Sequence, residues 1–489
     1  MSFFHLRCIT TSEHFLCSKM SKMSSFLSMP SFEEKVSEDV ALKKRSCLKK
    51  YISKVFKESS VTVVSSILCT VDNRRKAFRT IVLLICLTGF LYQCITFLGY
   101  AFQYPTNLDI DIQKPEFLEV PAYTFCNDNG IVKSKYCAKY PDHCILADES
   151  ICRRYPRHCT VNKTLVPKKE YYFVDLNITL DDVKELGQNL TEFLVRSNGF
   201  NYAEVEGPFV RSKDYFDGSR LGCYSINTLL DSPKDARMVP RQDLIKVPTS
   251  VFTFDLQPEE IFVPGDRAGI LFSVHSPFIG VNPFERGIFM KAGRTYKIYV
   301  RMEQEILLPL PYTTNCLNYT EEWLKRNKTG PRSKEMCVHK CLLQAFKACY
   351  NCSPSLVMYP NNERICSSAD LEENCADEEI LKFYACSGKC KDDCSRFKYI
   401  FDVQERYERE KNDPTETMEE SGHISVEIYL DDTEIIRLQH KPQYRDVELF
   451  SYIGGFIGVW LGVSLVEVMD LLEASCRIFT YVFRKRNTK

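Results

Sequence analysis

The sequence predicts an integral membrane protein in which two apolar helices frame a large, disulfide-rich α+β ectodomain. Three observations carry that fold class. From Thr80 to Leu108 nothing ionises except the weak acids Cys and Tyr, and such a run crosses the ~30 Å hydrocarbon core as a helix. A second run, Leu449 to Val466, is also free of charge. Between them lie 16 of the 23 cysteines, an even number, as a fully oxidised domain requires.

The N-terminal region, 1–79, reads as cytoplasmic. Residues 1–50 are Ser-, Met- and Lys-rich without periodicity, and "VTVVSSIL" further on suits a short helix or a re-entrant segment. The first span, 80–102, is preceded by Arg74, Arg75, Lys76 and Arg79, and the second run is followed by Arg484, Lys485 and Arg486. Positive flanks on both mark both termini as cytosolic. All six Asn-x-Ser/Thr sequons, at Asn162, Asn177, Asn189, Asn318, Asn327 and Asn351, fall between the spans. That confinement makes 103–449 extracellular and glycosylated.

Within the ectodomain, "FLEVPAYTFCN" (117–127) and "GRTYKIYVRMEQEI" (293–306) read as strands. "HISVEIYL" and "EIIRLQH", separated by Asp431, Asp432 and Thr433, read as a hairpin running towards the second span. "LTEFLVRSNGF" (190–200) and the stretch from Tyr319 to Lys347 read as helical. Cys337/Cys341 and Cys386/Cys390/Cys394 recur every four residues, which puts each set on one helix face, where facing rows can be cross-linked. Cys349-x-x-Cys352 has the spacing of half a zinc site, but between sequons a disulfide is the better reading. No metal site or cofactor is expected.

Several functions are excluded. Lys+Arg and Asp+Glu balance at 64 each, so no nucleic-acid partner is indicated. The eight histidines are scattered, no nucleophile elbow occurs and no phosphate-cradling loop follows a strand, so the chain is not read as an enzyme. His275 reads as a structural histidine in preference to a pH sensor. Asp109/Asp111 and Asp431/Asp432 read as solvated turns.

The second span, 450–475, is the unusual element. Gly454, Gly458 and Gly462 recur every fourth residue, and Glu467, Asp470 and Glu473 follow three apart. A glycine stripe lets helix backbones approach, and ordinary two-helix packing is an equal reading for Gly454 and Gly458. Gly462 can also break the helix where it lines a water-filled path. The three acids step about 60° backwards round a helix and so share a face. Carboxylates so placed concentrate cations, which a mere anchor has no reason to do. One chain with two spans cannot enclose a pore, so an oligomer is required.

"GGFIGVWLGVSLVEVMDLLE" (454–473) resembles the second span of the degenerin/epithelial sodium channel superfamily, with its GG pair, G-x-S and following acid. "YQ" (Tyr92, Gln93), "YP" (Tyr104, Pro105), "VPAYTFCN", "GCYSIN" around Cys223, "HSP" (275–277), "PYTTNC" (311–316) and "YPNNERIC…ENCADEE" are similar to family landmarks in the same order. The resemblance implies a palm, β-ball, finger and thumb, the thumb at about 316–394, and a homo- or hetero-trimer in the plasma membrane. It implies a voltage-independent, sodium-selective, amiloride-sensitive pore, with sodium the permeant ion. Gly462, Val463 and Ser464 match the selectivity filter, and Asp470 stands where the family has Glu. Glu467, Asp470 and Glu473 would draw cations to the pore, and Ser451 matches the gate position named after the degenerins. Tyr312 would couple gating to Tyr100 or Tyr104.

The same resemblance implies Cys126–Cys223 and a thumb ladder of Cys316–Cys394, Cys337–Cys390, Cys341–Cys386, Cys349–Cys375 and Cys352–Cys366. Cys137, Cys144, Cys152 and Cys159 would pair among themselves in either order. Two positions depart from the family. Thr62-Val63 stand where a His-Gly pair is usual, and Tyr452 replaces an Asp of the acid-sensing members, which argues against proton gating. Force, a peptide, protons or constitutive opening all fit the sequence. An ATP-gated two-span channel is the nearest rival, but it lacks the GG…GxS pattern and needs a lysine-rich phosphate pocket absent here. A non-conducting receptor or adhesion protein is the rival from another class.

Overall fold

The computed structural model describes residues 70–159, 164–172, 180–212, 220–241, 247–366, 384–406 and 422–486, with Val55, Asp370 and Cys375. It divides into two units, Met1–Pro105 with Pro442–Lys489, and Thr106–Lys441. Thr62 and Val63, the expected His-Gly position, lie outside the described residues.

The first unit is helical. Its first helix, Asn73–Ala101, begins seven residues before the expected 80, because Asp72 Oδ1 accepts the Arg74 N–H at 3.0 Å and caps it there. Arg and Lys are good helix formers, so the basic flank continues the helix. The helix ends at Ala101, and three residues on Tyr104 takes a left-handed φ of +51° immediately before Pro105. At 29 residues it is the one described helix long and apolar enough to cross a membrane by itself. The second apolar segment is broken into two helices, Asp446–Leu461 and Leu465–Arg486. The pair bends by 83° and meets the spanning criterion only when both halves are counted together.

The second unit is β-rich. Its larger sheet has six strands: Ser395–Arg406, Arg294–Ile306, His423–Pro442, Ser250–Asp255 and Leu194–Asn198 in that order, with Thr106–Gln113 also on His423–Pro442. The smaller has five: Ile288–Lys291, Gly269–His275, Ala122–Asn127, Arg220–Ile226 and Val205–Ser212. Alternation sets the core, as Phe252 and Phe254 point inward from one sheet to meet Phe125 and Phe272 of the other.

Four local expectations are corrected. Residues 423–442 form one strand parallel to Arg294–Ile306, not a hairpin. The register steps from Val300↔Leu430 to Met302↔Ile435, so 431–434 bulge opposite Arg301 alone and the two acids mark a bulge. Residues 190–200 form a single turn of helix, Leu190–Phe193, then a strand, since Leu194 is wholly buried beside Phe254 in the sheet. "FLEVPAYTFCN" is two strands, Phe117–Glu119 and Ala122–Asn127, because Pro121 lacks the N–H a ladder needs. The acid pair Asp109/Asp111 also lies within a strand, Thr106–Gln113, where Lys441 pairs with Asp109.

Eight disulfides staple this unit. Cys126–Cys223 ties the central strand of the smaller sheet to its neighbour Arg220–Ile226, directly opposite in register. The helix Lys334–Tyr350 starts where Ser333 Oγ accepts the Met336 N–H at 3.2 Å, and carries Cys337 and Cys341. Those bond to Cys390 and Cys386, and Cys316–Cys394, Cys349–Cys375 and Cys352–Cys366 complete the ladder. Only Cys386 of the Cys386/Cys390/Cys394 set is helical, since 384–389 is the described helix, so that row does not share one helix face. The four remaining cysteines pair locally, as Cys137–Cys144 and Cys152–Cys159.

Candidate functional site: the break in the second apolar segment

Gly462 ends the upstream half-helix. Its φ of +61° is left-handed, a conformation that glycine takes without strain, and its N–H reaches Gly458 O at 3.1 Å. Ser464 starts the downstream half-helix through a reciprocal cap. Its N–H donates to Glu467 Oε2 at 2.7 Å, and the Glu467 N–H donates to Ser464 Oγ at 3.3 Å. This is the S-x-x-E capping box, legible in "SLVE" and overlooked in the sequence reading. The Ser464 carbonyl already accepts the Val468 N–H at 3.0 Å. Among the described residues no backbone N–H reaches the carbonyls of Gly462 or Val463. The exposed acceptors in the break are therefore those two.

The acids are not equivalent. Glu467 is engaged by the cap, and Glu473 pairs with Arg477 at 2.6 Å. Asp470 has no basic side chain within ion-pair distance among the described residues. Ser451, one turn into the upstream half, donates its hydroxyl to Val447 O at 2.9 Å.

The upstream half packs on the first helix through aromatic side chains. Phe97 meets Tyr452 at 5.2 Å and Phe456 at 5.5 Å between ring centroids. Tyr452 is thus part of this aromatic seam. Tyr100 donates its hydroxyl to Gln443 Oε1 at 3.2 Å, beside Tyr444. A Cβ placed at Gly454, Gly455 or Gly458 would meet nothing within 4 Å. The glycine stripe therefore does not pack the two helices of one chain together.

Other expected sites are more scattered. Tyr312 is half-buried in the second unit, its N–H on Pro309 O at 3.2 Å, whereas Tyr100 and Tyr104 belong to the first. Asn189, Asn318, Asn327 and Asn351 are exposed, and Asn162 and Asn177 lie outside the described residues. Asn318 caps the helix Tyr319–Lys325 through its Oδ1. Buried His275 donates from Nδ1 to Ser276 O at 2.9 Å, so its Nε2 accepts from Thr124 Oγ1 at 2.8 Å. Burial holds its pKa down at about 4, which fits a structural histidine.

In chain order, an apolar helix long enough to cross a membrane is followed by an oxidised β-rich domain and then by a broken apolar segment. The chain belongs to the amiloride-sensitive sodium channel family, whose model matches residues 55–474. That family is one of ion channels rather than enzymes. Acid-sensing ion channel 1C of Danio rerio is 23% identical over 439 residues, covering 81% of this chain and 78% of that protein. The FMRFamide-activated amiloride-sensitive sodium channel of Cornu aspersum is 35% identical over 60 residues, 12% of this chain and 10% of that protein. Epithelial sodium channel subunit beta of Homo sapiens is 22% identical over 247 residues, 44% of this chain and 38% of that protein.

Proposed function

We propose that this chain is one subunit of a trimeric, voltage-independent, sodium-selective plasma-membrane channel that amiloride blocks and an extracellular stimulus opens. Both termini lie in the cytosol, and the two half-helices together make the second span. The supporting observation is the break itself. A span interrupted at Gly462–Ser464 leaves the Gly462 and Val463 carbonyls with no backbone N–H partner among the described residues, which is tolerable in a bilayer only where they face protein or a water-filled path. Three such loops around an axis would offer oxygens in place of sodium's hydration shell. Asp470 then concentrates cations beside the loop.

In this reading Ser451 is the gate, and Ser451→Val props it open, seen as raised current at rest with unchanged surface level. The cysteine ladder is the thumb, a stiff lever. Its movement passes through Tyr312 to Tyr100 or Tyr104, so Tyr312→Ala impairs gating at normal surface expression. Glycans sit on Asn162, Asn177, Asn189, Asn318 and Asn327. Whole-cell recording from oocytes expressing the chain alone, with sodium replaced and amiloride added, tests the reading. An amiloride-sensitive inward current that vanishes with sodium supports it. Surface-labelled protein without such a current, alone or with related subunits, contradicts it.

A further inference from the structure

Gly89, Gln93 and Phe97, spaced four apart on the first helix, each meet an aromatic residue of the upstream half-helix. A Cβ on Gly89 would lie 2.6 Å from the Trp460 ring, so glycine there makes room for the indole. One turn on, Gln93 Oε1 accepts the Trp460 Nε1–H at 2.5 Å. An indole nitrogen only donates, so the acceptor is the amide oxygen without ambiguity. Trp460 is two residues from Gly462, whose left-handed φ starts the break. Both partners sit in uncharged runs of the sequence.

We propose that Gln93 is a positioning residue for ion selectivity. Through Trp460 it fixes the rotation of the last helical turn, and hence the aim of the Gly462 and Val463 carbonyls. Gly89 seats the ring that makes this possible. The proposal rests on the reading of Gly462–Ser464 as the filter. If the bond served helix packing alone, losing it would lower surface expression and leave selectivity intact.

The test uses the full chain in oocytes, with surface labelling and reversal potentials in sodium and potassium baths. Gln93→Met and Trp460→Phe should each lower the sodium-to-potassium permeability ratio by about three-fold, the scale of one intramembrane hydrogen bond. The double variant should fall no further than either single. Wild-type ratios in both singles, or additive losses in the double, overturn the proposal. Ser464→Cys is run alongside. If it alone shifts the ratio, the filter stands and the positioning role fails; if it too is silent, the filter reading fails and this proposal with it. Should neither single variant reach the surface, detergent-solubilised full chain carrying Trp323→Phe reports Trp460 fluorescence. Gln93→Met should then shift that emission to the blue, and an unshifted spectrum overturns the bond.

Discussion

Ser464 and Glu467 cap one another across the first turn of the downstream half-helix, N–H to Oε2 at 2.7 Å and N–H to Oγ at 3.3 Å. An acid that reads as pore-facing thus holds Ser464, a residue of the proposed filter, in place. Gln can make the same cap with no charge, whereas Ala cannot. Glu467→Gln should therefore keep the wild-type reversal potential, while Glu467→Ala shifts it towards that of potassium. Equal shifts in both would mean that the charge at Glu467, not the cap, carries its role.

Asp470 and Glu473 separate by partner. The Glu473 charge is offset by Arg477 at 2.6 Å, and exposed i,i+4 pairs of this kind contribute only about 0.3–0.5 kcal/mol. Glu473→Gln should leave single-channel conductance near wild type, and Asp470→Asn should lower it. Single-channel recording in symmetrical sodium decides the matter, and the reverse order of effects would contradict the assignment.

How much of this was legible follows the range of each interaction. The first span and the special place of Gly462 stand in the sequence because they depend on runs and spacings, whereas the cysteine ladder came from the family resemblance and the spacing of Cys386, Cys390 and Cys394 misled. The capping box was equally readable in Ser464-Leu465-Val466-Glu467, but attention to the acids as a pore-facing row hid it. The strand 423–442 misled because Asp431-Asp432-Thr433 has turn chemistry, and only pairing with Arg294–Ile306, far off in sequence, turns it into a bulge. Leu194 likewise enters a strand through its tertiary partners against a helical local pattern. The Gln93–Trp460 bond joins residues 367 apart, and nothing local announces it.

The cysteine-rich segment should also titrate. Asp393 is buried, and the loss of water raises its carboxyl from the usual 3.8 to about 7, although the Lys334 N–H on its oxygens pulls the other way. The folded chain then holds a proton that the unfolded chain releases near pH 4, so stability falls as pH rises from about 4 to about 7. Asp393→Asn keeps an acceptor for Lys334 and cannot ionise. Thermal melts of the detergent-solubilised chain should show wild type losing more Tm than Asp393→Asn between pH 5 and pH 7.5, a window set by that shift. Parallel pH profiles would contradict this.

The disulfide ladder makes a covalent prediction. Cys337–Cys390 closes a separation of 53 residues and Cys341–Cys386 one of 45. Removing a bridge of that loop length typically costs about 2–5 kcal/mol. Cys337→Ser should therefore lower surface expression, and Cys390→Ser should lower it equally because the partner is shared. Peptide mapping of the wild-type chain under non-reducing conditions should recover both cross-links. Free thiols at Cys337 or Cys341 would contradict the ladder.

Selectivity at Gly462–Ser464 is the central claim, and the reversal potential of Ser464→Cys, measured in sodium against potassium baths with surface labelling, tests it most directly. The substitution weakens the cap that holds the start of the downstream half-helix and so re-aims the carbonyls beside it. Loss of sodium preference at a normal surface level is the expected result. A wild-type reversal potential at normal current would show that the stretch is packing and not a filter.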